Sequence, residues 1–436
     1  MDPTWPTAKV VACQYGRILG IGQSLEDLDP WLKRKELDPN GKDVAIDRSF
    51  ENDVIVPGFV EQHGHPLIGG TALSLICVAF HDTVAPYQPM IKGCRSKKEV
   101  IDRLKKEHKK RPITDGTLPD EYLLAWGFDC VAMGCHLTKD DLDEIDPKGQ
   151  RSIYVWDCSM HFAYMNTQMM EQTMGLDIKN GRKYTTTGVE TDPKTGELTG
   201  AFLGIQALKK FSLPIMKRLM KPSRCLQSMH HLTEVARMGG ITTMCELVMG
   251  SVNLGVEMDL YRWFYDNDLT PCRCVCIIDG IKAKRLMSPF RLPLPNARAN
   301  AAARWIRNQQ QYSSEKLIFN NGVKFFADDS FLGLTIKLRF PGYVEPRRQK
   351  GIWNMEQGPG TPFVRELLPF WKAGCRVHVH SNGDASQDAL TEVVQTLQTI
   401  HPRFDHRFCL EHYGMSAVHI HRKLKALGVN VGVNGM

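Results

Sequence analysis

The second half of the chain alternates, six times over, between a stretch patterned as a helix and a short apolar stretch. Helices are predicted at 224–238, 256–265, 298–312, 362–374, 385–400 and 416–428. They lead in turn into predicted strands at 241–247, 271–278, 323–328, 375–381, 406–412 and 429–434. Such alternation is the signature of a parallel α/β fold, either a barrel or a doubly wound sheet. The strands are short and apolar, as parallel strands covered on both faces should be. With an earlier strand ending at His65, seven barrel candidates emerge, reaching His65, Leu247, Ile278, Asp328, Ser381, His412 and Asn434. A closed (β/α)8 barrel needs eight, so one strand is missing from the expected set.

The first half is less regular. Residues 8–22 read as two short strands joined at Tyr15-Gly16, and 43–56 carry alternating and apolar residues as far as Val56. Together they predict a partial β-sandwich subdomain over 1–56, with Pro57-Gly58 as the junction to a barrel over 57–436. Between 66 and 220 lies a large insertion or cap, with strand-like segments at 122–126 and 152–156 and a turn-rich stretch TDPKTGELTG.

Several function classes are set aside by composition and charge. Hydrophobic residues make up 42% and charged residues 24%, the balance of a globular protein. No apolar run approaches the roughly 20 residues of a membrane span, and the first residues lack a secretory layout. The expected location is therefore the cytoplasm. The net charge of +7 is modest, and the densest basic run, RLKKEHKKR from Arg103 to Arg111, reads as the exposed end of a helix. Without aromatic interleaving it does not predict nucleic-acid binding. The 13 cysteines include no C-x-x-C pair. Cys272, Cys274 and Cys276 alternate on one strand face and read as small buried residues in a reducing compartment.

The chemistry-bearing residues cluster at predicted strand ends, where barrel enzymes keep their functional groups. His63 and His65 flank Gly64 after an apolar run, a spacing that puts both imidazoles on one face of a strand. Lys324, His380 and His412 lie near the ends of the fourth, fifth and sixth strands. Each has an ordinary alternative. The first pair reads equally as loop histidines, His380 as a histidine bonded to backbone, and His412 as a core histidine beside Glu411. Lys324 reads equally as a buried lysine paired with Asp328, and His378 on the face of His380 shows that histidine here need not mean ligand. Jointly, five such groups on successive units point to a metal site, since neutral imidazole is a common ligand for zinc and similar ions.

Several segments carry a resemblance: VIVPGFVEQHGHP, SMHFAYMN, TGELTGAF, GVKFFADDSFLG, VHSNGDASQDAL and RFCLEHYGM. In these the chain resembles the amidohydrolase superfamily, specifically its YtcJ-like branch, amidohydrolase family 3. The resemblance implies a TIM-like metal-dependent hydrolase barrel acting on carbon–nitrogen bonds other than peptide bonds, with amide hydrolysis by a metal-bound hydroxide. It implies one or two divalent ions, zinc foremost, held by His63, His65, His380 and His412, with Lys324 as a carboxylated bridge between two ions. His161 falls at a position the family places near the substrate, and Glu246 is a spare carboxylate. Asp384 is expected to hold the loop after the fifth strand. The family motif after the lysine reads Asp-Gly, whereas this chain has Asp328-Asp329. The expected partner is a small-molecule substrate, with no nucleic acid and no membrane; a homo-oligomer stays open. A heterocycle deaminase on the same fold, or a non-catalytic relative, is the alternative.

In the family an aspartate on the eighth strand acts as general base. This sequence stops at Met436, within or just after the seventh predicted strand, so the expectation is an incomplete barrel of reduced stability and activity, with its catalytic base unassigned.

Overall fold

The protein, in a computed structural model, is described over residues 7–33, 44–111, 122–175, 188–287, 295–344 and 351–433. The far end of the seventh predicted strand at Asn434, and Met436, lie outside these residues. The chain divides into two units, Met1–Pro57 and Gly58–Met436.

In the first unit, β1 (Val10–Gln14) and β2 (Arg17–Gly22) form an antiparallel hairpin. Tyr15 and Gly16 both take positive φ, 49° and 70°, the geometry that matches a two-residue turn to the twist of the strands. The strand character expected over 43–56 is not realised in residues 44–56, which form no strand. Val54, Ile55 and Val56 stay exposed. Apolar alternation makes a strand only where a neighbouring strand and a core accept it, and residues 44–56 pair with no strand and are exposed throughout.

The second unit begins with β3 (Phe59–Gly64). It is followed by an insertion that builds its own six-stranded sheet. The strands are β4 (Ile76–Cys77), β5 (Leu123–Phe128), β6 (Ile153–Asp157), β7 (Phe162–Met165), β8 (Val189–Thr191) and β9 (Leu198–Leu203). Their order is β4-β5-β6-β7-β9-β8, parallel as far as β6 and antiparallel beyond it. Alternate residues feed two apolar layers. Leu123, Ala125, Ile153, Val155, Phe162 and Tyr164 pack on one face. Leu124, Tyr154, Trp156, Ala163, Met165 and Phe202 pack on the other. The basic run lies on helix Lys97–Lys110, which starts at the Ser96 cap and buries only Val100, Ile101 and Leu104.

Six further strands complete the main sheet: β10 (Ile241–Met249), β11 (Arg273–Asp279), β12 (Leu317–Phe326), β13 (Arg376–Ser381), β14 (Cys409–His412) and β15 (Asn430–Val433). All pair in parallel, in the order β3-β10-β11-β12-β13-β14-β15. The sheet curls into a nearly closed barrel: His63 on β3 hydrogen-bonds Glu411 on β14, four strands beyond its paired neighbour in that order. Among the described residues β3 and β15 are its edges.

The helices that follow the strands pack outside. Helix Pro362–Lys372 has proline at its first turn and ends before Gly374, at φ 80°. Its buried Phe363, Val364, Leu367, Phe370 and Trp371 recur at helical spacing. They meet Val323, Phe325, Val377 and Val379 in one core, each such side chain contributing roughly 1.5–3 kcal/mol by its burial. Because strand side chains alternate, Lys324, His378 and His380 are left facing the barrel interior. Cys274 and Cys276 belong to the outer core, and Cys272 to a small cluster beside it. Among the described residues no helix is long and apolar enough to cross a membrane.

Candidate metal centre

Four histidine rings gather at the C-terminal ends of the strands. The His412 ring lies 4.2 Å from that of His63 and 4.4 Å from that of His380, centroid to centroid, and His65 is 5.5 Å from His63. His63 is the next-to-last residue of β3. His65 lies beyond β3, at the cap position of helix Pro66–Leu73, so the two histidines meet edge to face rather than side by side on a strand. His412 and Tyr413 hold positive φ, 74° and 47°, a strained backbone that carries the chain away from β14 just where the rings converge.

Each of three rings has one nitrogen tied down. His63 Nδ1 is 2.9 Å from Glu411 Oε2, and His65 Nδ1 is 3.1 Å from Glu246 Oε1. His380 Nε2 lies 2.9 Å from the Asp329 carbonyl oxygen. A ring nitrogen that donates to an oxygen leaves the other nitrogen with its lone pair, which is how metal-ligating histidines are oriented. Burial first, then the Lys324 charge, pushes His63 down to about 3. Burial first, then the neighbouring histidines and Lys324, hold His380 and His412 well below the ordinary histidine range. All three are therefore neutral at pH 7, as ligands must be.

Lys324 is buried among these rings, and its Nζ has no hydrogen-bond partner. The pairing with Asp328 is not formed. Burial pushes Lys324 down to about 8, against the pull of Glu411. Asp328 instead ties two loops together, accepting from the backbone N–H of Lys337, Asn382 and Gly383 and from the Ser386 hydroxyl. Its burial pushes the carboxyl up to about 7. Asp384 accepts from the Arg339 N–H at 2.9 Å and so holds the loop after β13.

His161, from the start of β7, comes within 5.2 Å of the His380 ring, and its Nδ1 bonds the buried carboxylate of Asp329. The second acid of Asp328-Asp329, read in the sequence only as a departure from a motif, is thus the group that aims His161. Two other carboxylates, Glu246 and Glu411, have partners that the sequence did not show. Glu246, the spare carboxylate of the sequence reading, accepts from the Tyr261 hydroxyl, the Val248 N–H and His65. Glu411 accepts from both His63 and His378, the latter at 2.7 Å. Burial opposes its charge, yet those two hydrogen bonds and Lys324 hold it well below the usual carboxylate range. Gly432 on β15 makes room for it, since a Cβ there would stand 2.7 Å from Glu411 Oε2. Adjacent Glu-His was visible in the sequence as a pair, but not which strands it would reach.

The fit to a divalent ion rests on neutral imidazoles with fixed tautomers around a buried amine that lacks a partner. The pocket sits where a parallel barrel keeps its functional groups, and the architecture defines the class of fold: a nearly closed parallel α/β barrel. Two solved structures share it. One, a crystal structure titled an uncharacterized metal-dependent hydrolase from Pyrococcus horikoshii, superposes with a TM-score of 0.58 at 15% identity, over 97% of this chain and 70% of that one. Another, of the same description from Pyrococcus furiosus, gives 0.55 at 17% identity, over 97% and 72%. At such identities the likeness is one of fold. Among curated proteins, LONG AFTER FAR-RED 3 of Arabidopsis thaliana is 22% identical over 417 residues, 94% of this chain. The chain spans 62% of that relative's length. No family model matches the chain.

Proposed function

We propose that this chain is a metal-dependent hydrolase that cleaves a carbon–nitrogen bond outside peptides, in a small substrate such as an N-acyl amide. The observation that carries the reading is the ring cluster of His63, His380 and His412, all neutral, around the unpartnered amine of Lys324. His63, His65, His380 and His412 would hold a divalent ion, zinc foremost, with Lys324 as a further ligand if carboxylated. Such an ion supplies Lewis-acid polarisation of a carbonyl and acidifies water near pH 7.

The rest is work for the chain's own residues. Glu411 and Glu246 fix the tautomer and rotation of His63 and His65. Asp329 fixes Nδ1 of His161, leaving Nε2 to meet a substrate atom. Burial keeps bulk water from competing for these bonds. We assign 66–220 as the cap that selects substrate, 57–436 as the barrel and 1–56 as an accessory subdomain. The test is an amide panel assayed with and without added zinc. Metal-dependent release of amine from an amide supports the reading. Ammonia from a heterocycle would make the chain a deaminase, and no turnover with any substrate or metal would count against both.

A further inference from the structure

We propose that His378, Cys409 and Glu411 form a second metal site, suited to a thiophilic divalent ion, inside the barrel and next to the four-histidine pocket, to which the Glu411–His63 hydrogen bond joins it. One nitrogen, one sulfur and one oxygen donor from these residues all lie within 4.8 Å of one another. They stand on two adjacent strands in fixed register, His378 opposite Cys409 and His380 opposite Glu411. Donors on paired strands are held more firmly than donors on loops.

The donor set selects the ion. Thiolate and imidazole suit zinc and its neighbours, whereas magnesium and calcium take oxygen alone. Zinc with bonds of about 2.0–2.3 Å brings its ligands within about 4 Å of one another, so side-chain rotation about fixed backbones closes the set. Three protein ligands leave a fourth position for water, the arrangement of an open zinc site.

The amine of Lys324, which the histidine rings surround, also borders these donors. Lys324 on β12 pairs in register with His378. Its buried Nζ lacks any hydrogen-bond acceptor, and Glu411 and Cys409 are the neighbours whose charge bears on it most. A water held by the ion would give that amine a partner. Without an ion, Glu411 accepts from His378 and His63, and the Cys409 thiol is left with a long contact, 3.7 Å, to the Leu410 carbonyl oxygen and the Glu411 carboxylate beside it. Because Glu411 bonds His378 through Oε1 and His63 through Oε2, this site would also set the orientation of His63.

The test uses the full chain, freed of metal and reloaded with cobalt(II), which reports sulfur ligation by a thiolate-to-cobalt charge-transfer absorption in the near ultraviolet. The wild type should show the band. Cys409→Ser should lose it together with one bound cobalt, while His63→Ala/His380→Ala should keep it. Absence of the band from cobalt-loaded wild type, or its survival in Cys409→Ser, overturns the proposal. Loss of the band in the His63→Ala/His380→Ala variant also overturns it, by assigning the thiolate to the histidine pocket. Should Cys409→Ser fail to fold, His378→Gln carries the same comparison. The double-histidine variant separates the two ideas, because only the reading of the four-histidine pocket requires it to lose cobalt that does not contribute to the band.

Discussion

The two sheets of the second unit are built from the same residue alphabet and put it to opposite uses. The insertion sheet is apolar on both faces, with Leu123 and Leu124, then Tyr154 and Val155, pointing into separate cores. The barrel sheet is apolar only outside. Its interior carries Lys324, His378, His380, Cys409 and Glu411, side chains that cost free energy to bury unless something pairs with them. A flat layered sheet needs only packing on its two faces. A curled one has a concave side too narrow for helices, and that side is where polar groups from different strands converge. Stability and chemistry are thus separated: the insertion contributes one imidazole, His161, and a large core.

The largest expected effect tests that separation from the insertion side. Phe162 is fully buried, and its ring lies where a Cβ on Gly333 would stand, 1.6 Å from Cζ. Phe162→Ala should cost about 3–5 kcal/mol in denaturant unfolding while leaving metal content per folded chain unchanged. Metal lost in proportion to stability would merge the two regions into one.

Next comes Asp157, buried at the end of β6, where burial pushes its carboxyl up to about 6 from the usual 3.8. Ser159 N–H reaches one oxygen and the other has no partner. The folded state therefore keeps its proton longer than the unfolded one. Stability should fall as pH rises from 3.8 to about 6 and level off above, by up to about 3 kcal/mol in all. Asp157→Asn should flatten that slope in melting curves; an unchanged slope assigns it to other groups.

Glu411→Gln is the matching probe on the barrel side. Losing one carboxylate oxygen from the pair that orients His63 and His378 should weaken divalent-metal affinity about 10–100-fold. Calorimetric titration reads this, and an unaltered affinity would show that the carboxylate does not orient ligands. The smallest effect belongs to the surface: Asp102→Ala, which breaks the exposed pair with Lys98 on the insertion's basic helix, should leave melting and metal binding within error.

The barrel was legible where periodicity is local. Strands β10, β11, β13, β14 and β15 follow from helix-to-strand alternation, because each apolar run is bounded by its own helix. The start of β12 was missed: Asn321, at φ 60°, breaks the strand between Phe319 and Gly322, where the register shifts against β11. In the insertion, β5 and β6 were legible as the strand-like segments at 122–126 and 152–156, but the topology was not, since the sheet mixes parallel and antiparallel pairs over long connections. In the pocket, the residues that could act were visible as types, and their partners were not. Glu411 reaches His63 across 348 positions of sequence and Asp329 reaches His161 across 168. Such pairs are set by strand register and sheet curvature, which no local pattern encodes.

A divalent-ion site formed by His63, His65, His380 and His412 can be read directly. The most direct measurement is zinc bound per chain, by elemental analysis after equilibrating metal-free protein, for the wild type and for His63→Ala/His380→Ala. The double variant should stay folded, bind less zinc than the wild type and show a smaller zinc-dependent rise in melting temperature. Equal zinc and an equal rise in both proteins would contradict it.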